Sequence, residues 1–126
     1  MTWERISEVA LREMLDSAHT RMSIRQARLW DAIRIQPEKW AQDPWGVEGG
    51  GFWVVAIIGN TVIWYNDIEE GFNTSNYERY GVINEYWCNQ DDLEHVVYRI
   101  LSLVGEQASG TASVWELRRG PPEPMN

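Results

Sequence analysis

Apolar residues recur along this chain at two spacings, and the switch between them outlines the elements. Leu11, Met14, Leu15, Ala18 and Met22 repeat at helical spacing and predict a helix over residues 7–21. Ser7 is placed to cap it, and Glu8 sits just inside, where a carboxylate favours the helix dipole. Near the other end Leu93, Val96, Val97, Ile100, Leu101 and Val104 repeat the same period. Asn89 is the expected cap, Gln90, Asp91 and Asp92 the first turn, and Gly105 the stop. Between the two helices the period falls to two. Residues 52–58 and 61–66 are β-branched and aromatic runs separated by Gly59-Asn60, which predicts a two-residue hairpin with a type II′ turn. That turn sets Ile58 opposite Thr61, Ile57 opposite Val62, Val55 opposite Trp64 and Trp53 opposite Asn66. One face then carries Trp53, Val55, Ile57, Val62 and Trp64, and the other Phe52, Val54, Ala56, Ile58, Ile63 and Tyr65. Both faces are apolar, so the hairpin is expected to be central and covered on both sides.

The remaining stretches are less regular. In residues 27–35, Leu29, Ile33 and Ile35 alternate with Ala32 and Arg34, although Asp31 breaks the row. Ile24, Ala27 and Trp30 fit a helix as well, and the reading taken is a strand. Pro37 is expected to stop it, with one helical turn over 38–42 that has Pro near its start. Residues 43–51 read as a loop, and 67–76 as a polar loop around Gly71 and Phe72. Over 78–87, Tyr80, Val82, Asn84 and Tyr86 alternate with Gly81, Ile83, Glu85 and Trp87, which predicts another strand. Residues 114–117 suggest a short strand and 120–126 a disordered tail. The order helix, strand, hairpin, strand, helix defines an α+β fold. It calls for an antiparallel sheet of about four strands with a central hairpin, and for N-terminal and C-terminal helices packed on one face. Residues 1–119 form a single domain in this reading.

A chain of 126 residues can bury a core without disulfide or metal staples. Eight Trp are more than such a core needs, so some are expected at a surface that something else covers. Cys88 is the single cysteine, so no internal disulfide forms. Glu4, Arg5, Glu8 and Arg12 stand where a signal peptide would be apolar, and no run approaches the ~20 apolar residues of a membrane span. A reducing, cytoplasmic setting is the expectation. The net charge is −8, and its distribution is uneven: residues 67–94 hold eight acids against Arg79, a net of −7, while the segments on either side nearly balance. Nucleic-acid and anionic-membrane partners are disfavoured, because both need a basic footprint.

No constellation carries catalysis. Cys88 and His95 are the natural nucleophile and base, but His95 lies off the apolar stripe between Asp91 and Arg99, as on a solvated helix face. One Cys and two His are too few for a structural zinc site. Asp67, Glu69 and Glu70 before Gly71 lack the alternation of a calcium loop. The glycines at 46, 49, 50 and 51 precede a strand rather than joining strand to helix, unlike a phosphate loop. No catalytic residue, metal or cofactor is expected. The binding candidates are Tyr65, Asp67, Glu69, Glu70, Phe72, Tyr77, Tyr80, Asp91 and Asp92, where aromatic anchors mix with carboxylates able to steer a basic protein partner. The plain alternative weighs as much: solubilising acids outside and aromatics in the core.

The run Gly51-Phe52-Trp53-Val54-Val55-Ala56-Ile57-Ile58-Gly59, followed by Trp64-Tyr65-Asn66-Asp67-Ile68-Glu69-Glu70-Gly71-Phe72, resembles uncharacterised small bacterial proteins. Some acidic proteins of this build are immunity proteins of toxin systems. The resemblance covers about a third of the chain, transfers no functional residue and implies an immunity-type inhibitor. The leading expectation is therefore an acidic protein-binding domain, in its specific form an immunity or antitoxin-like inhibitor of a basic partner. A structural protein that forms a homo-oligomer through the hairpin face is the second reading. A small enzyme working through carboxylates or Cys88 is the third.

Overall fold

A computed structural model of the chain describes residues 5–42 and 50–111, with side chains through residue 104. The element order is α1 (Glu8–Thr20), α2 (Ile24–Ile33), β1 (Arg34–Trp40), β2 (Phe52–Ile58), β3 (Thr61–Asn66), β4 (Gly71–Asn76) and α3 (Leu93–Thr111). The strands form one antiparallel sheet in the order β1-β2-β3-β4. Three helices pack on one of its faces, as an α+β fold with helices at both ends requires. The predicted strand at 114–117 and tail at 120–126 lie outside the described residues.

The N-terminal helix forms as its pattern dictates. Ser7 Oγ accepts from the Ala10 N–H at 3.1 Å, and Leu11, Leu15 and Ala18 are buried. The strand expected over 27–35 is instead helix α2. A capping box decides it: Ser23 Oγ accepts from Gln26 N–H at 3.1 Å, and Gln26 Oε1 accepts from Ser23 N–H at 2.6 Å. Asp31, which interrupted the strand pattern, lies on the exposed side of that helix. β1 follows directly and runs through Pro37 where a stop and a helical turn were expected. Proline is tolerated there because β1 borders β2 alone and bulges: Arg34 faces Ala56 and Glu38 faces Val54, so four steps on β1 span two on β2.

The hairpin turns at Gly59, whose φ of +62° suits the first central position of a type II′ turn. Ile58↔Thr61 and Ile57↔Val62 pair as expected, but Ala56 then faces Ile63 and Val54 faces Trp64, leaving Val55 as a bulge. The bulge reverses the alternation beyond it. Trp53, Val55, Ala56, Ile58, Ile63 and Tyr65 share the helix side, and Phe52, Val54, Ile57, Val62 and Trp64 the other.

The polar loop expected over 67–76 is a short turn followed by β4, which pairs with β3 along its length. The strand expected over 78–87 makes no ladder. Residues 77–92 form a strap. It leaves β4 at the Tyr77 N–H, which donates to the Asn60 carbonyl, crosses the far face to Ala41, and returns along β4 to the Phe72–Asp91 bridge. Ile83, Tyr77 and Tyr86 close that face over Trp40, Phe52, Val54, Val62 and Trp64. The strap thus covers the second apolar face of the hairpin. α3 starts at Leu93 rather than after Asn89, with the Asp92 carbonyl accepting from His95 and Val96, and it continues past Gly105.

Candidate binding surface

The return leg of the strap is irregular backbone lying on a hydrophobic face, so its carbonyl and amide groups need partners. Three buried polar side chains of the sheet provide them. Asn66, 0% exposed, donates through Nδ2 to the Trp87 carbonyl at 2.9 Å. Ser75 donates to the Glu85 carbonyl at 2.9 Å and accepts from the Trp64 indole at 2.9 Å. Asn73 donates to the Asn89 carbonyl at 3.1 Å and accepts from the Asn89 N–H at 3.0 Å. With residues 85, 87 and 89 fixed through their backbone, the side chains of Glu85 and Trp87 stay exposed, Trp87 at 47%.

Asn66 also shapes the acidic turn. Its Oδ1 accepts from Ile68 and Glu69 N–H at 3.0 and 3.2 Å, and Glu70 takes a left-handed φ of 61°. Gly71 follows, where a Cβ would lie 2.3 Å from the Asn89 carbonyl oxygen. That close approach, with the Phe72 N–H donating to the Asp91 carbonyl at 2.9 Å, brings the acidic runs 67–70 and 91–92 together at the start of β4.

The nine candidates from the sequence fall into three groups. Asp67, Glu69, Glu70, Asp91 and Asp92 gather at that end of the sheet. Tyr65 and Phe72 do not join them at the surface: their rings meet at a tilt with centroids 4.9 Å apart inside the helix-side core, 6% and 2% exposed. Burial raises the Tyr65 phenol above its ordinary pKa, and the nearby Glu70 and Asp67 carboxylates raise it further. Tyr77 and Tyr80 lie on the opposite face against Trp40, with ring centroids 5.1 and 4.7 Å away, and the Tyr80 hydroxyl donates to Glu38, which raises its pKa.

The gathered acids are partly engaged. Asp67 Oδ2 accepts from the Ile6 N–H at 3.0 Å, while Oδ1 is buried with no hydrogen-bond partner among the described residues. Lys39 lies over the Trp53 ring at 5.0 Å, and desolvation lowers its pKa against the opposing pull of Asp67. Asp91 pairs with Arg99 at 3.0 Å.

Beside the strap, between its return leg and α3, runs a groove of about 840 Å³. Its lining is mixed: Ile58, Ile100, Leu103 and Val104 give it an apolar side, Thr61, Thr74, Asn76 and Asn89 a polar floor, and Glu85, Trp87 and Asp91 stand along the strap side. Leu103 is 59% exposed on the opposite lip. Glu85 and Trp87 were not among the candidates picked from the sequence. The signal was present in their alternation with Tyr86, which was read as a strand's inner and outer faces. Cys88 is exposed, and among the described residues no three metal-ligating side chains cluster and no helix is long and apolar enough to cross a membrane.

Fold and surface together define a small α+β domain with an exposed, backbone-pinned acidic and aromatic edge. No family model, curated protein or solved structure matches the chain.

Proposed function

We propose that this chain is a protein-binding domain for a basic partner, acting as an immunity or antitoxin-like inhibitor that caps a partner such as a nuclease. The observation that carries the proposal is the strap's construction. Asn66, Asn73 and Ser75 satisfy the backbone groups that an irregular cover brings on to the far face, and in doing so they hold the backbone of residues 85–89 in one conformation. Holding that backbone presents Glu85 and Trp87 ready-formed, which lowers the ordering cost of an interface. The acids gathered at 67–70 and 91–92, within a stretch of net charge −7, supply the field that speeds encounter with a basic surface.

The test is complex formation with a basic toxin encoded beside this chain, prepared in an inactivated form. Binding should weaken steeply between about 50 and 300 mM salt, as screening of exposed charges demands. Glu69→Gln with Glu70→Gln should slow association while leaving the urea midpoint in place. Asp67 is unsuitable for that purpose because its carboxylate anchors the Ile6 backbone. Salt-insensitive binding, or no complex with any basic toxin encoded nearby, removes the proposal.

A further inference from the structure

Resting on that reading, we propose that the groove between α3 and the strap receives one basic amphipathic helix of the partner, with its apolar face on Ile100, Leu103 and Trp87 and its cations toward Glu85 and Asp91. The shape argues for a macromolecule. A small-molecule site encloses most of its ligand. Here both lips stand open to solvent, with Trp87 47% and Leu103 59% exposed, so the surface suits a rod laid along it. One wall is itself a helix, presenting Arg99, Ile100, Leu103 and Val104 at the spacing against which a second helix packs.

Charge selects the sign of the occupant. Glu85 accepts only long hydrogen bonds, from the Trp87 indole at 3.4 Å and the Asn76 N–H at 3.5 Å, and no described cation pairs with it. Asp91 shares Arg99 across the groove. With Asp91 balanced by Arg99, Glu85 is the groove's uncompensated charge, and a lysine or arginine flank would give it a charged partner where an acidic flank would be repelled. Trp87 is placed as the anchor: a large side chain on a backbone already fixed by Asn66.

The probe is a designed helix of about 18 residues, long enough to fold on docking, with Leu at helical spacing and Lys elsewhere. Its binding to the full chain is followed by amide chemical shifts and calorimetry. The expected result is saturable binding with shifts centred on 85–91 and 99–104. Trp87→Ala and Leu103→Ala should each weaken it roughly tenfold or more, and Glu85→Lys likewise. Tyr98→Ala, equally exposed on α3 but outside the groove, should leave affinity unchanged. A sequence-scrambled peptide of the same composition should bind weakly and without the groove shifts. Equal binding of the scrambled peptide, or affinity indifferent to Trp87 and Leu103, overturns the groove while leaving a purely electrostatic surface for a basic partner. Absence of binding by either peptide at low salt counts against both proposals. Self-association of the protein, abolished by Leu103→Ala in sedimentation, would show a second copy of this chain in the groove and overturn the helix assignment.

Discussion

The two faces of the sheet are covered by different physical means. On one side α1, α2 and α3 press Leu11, Leu15, Trp30, Leu93, Val96 and Val97 on to Val55, Ala56, Ile63 and Phe72. On the other an irregular strap presses Ile83, Tyr77 and Tyr86 on to Trp40, Phe52, Val54, Val62 and Trp64. A helix satisfies its own amides and carbonyls, so the surface beneath it can be wholly apolar. A strap cannot, and the sheet must supply polar partners from within the hydrophobic layer. Asn66, Asn73 and Ser75 do so, and Gly71 leaves room for the strap backbone at Asn89 and Gln90. The helix face therefore depends on volume, and the strap face on volume together with a few hydrogen bonds of fixed direction.

Truncation on the helix face should have the largest effect. Leu11 is fully buried, and Leu11→Ala should cost ~2–5 kcal/mol through lost burial and the cavity left behind. The loss should show as a lower urea midpoint with an unchanged slope, and amide exchange should quicken in helices and strands together. Confinement of that exchange to α1 would mean the helices are not one cooperative layer.

A pin on the strap face should behave otherwise. Asn66→Asp keeps the acceptor for the 67–70 turn but sets an oxygen against the Trp87 carbonyl in place of a donor. Asn73→Ala leaves the Asn89 amide and carbonyl without their partner. Asn73→Ala should cost ~1–3 kcal/mol, the usual penalty for orphaning a buried polar group, and Asn66→Asp at least as much, because it also sets an ionisable carboxyl at a fully buried position. The distinguishing sign is locality: exchange over 84–91 should rise well before that of α1. A uniform rise would show that the strap opens only with the whole molecule, and the contrast between the faces would fail.

The same contrast explains what the chain reveals as sequence. On the helix face α1 and α3 were legible because regular helices bury side chains at a fixed period, whereas α2 read as a strand because Leu29, Ile33 and Ile35 alternate across residues 27–35. The bulge at Val55 was not legible: Phe52 to Ile58 is apolar at every position, so no polar residue marked the slip. β4 was missed for the opposite reason. Gly71-Phe72-Asn73-Thr74-Ser75-Asn76 reads as a loop because its inward residues on the strap side are polar, and their partners are backbone groups of residues 85 and 89, which no side-chain pattern reveals. Of the candidate site, the acids were readable as charge and do meet at one end of the sheet. Tyr65 and Phe72 carry no mark in the sequence to separate a core aromatic from an interface anchor; their packing under the helices decides it.

The smallest effect should come from the ion pair that ties α1 to α3 at the edge of the helix face. Arg21 Nε lies 2.7 Å from Glu94 Oε2, a pair exposed on the arginine side and mostly buried on the carboxylate side. The hydrogen bond from Arg21 holds the Glu94 carboxyl below its ordinary pKa, against the opposing push of desolvation. A carboxyl with a depressed folded pKa stabilises the protein at pH above its unfolded value, and that contribution drains away as pH falls through the folded value. Arg21→Gln should therefore lower the urea midpoint slightly at neutral pH, and the gap between variant and parent should close on acidification below the usual glutamate range. The strap pins carry no charge, so the deficit of Asn73→Ala should stay constant over the same acid range. A gap for Arg21→Gln that persists after Glu94 is protonated would assign the joint to the packing of the arginine stem across the two helices instead of to its charge.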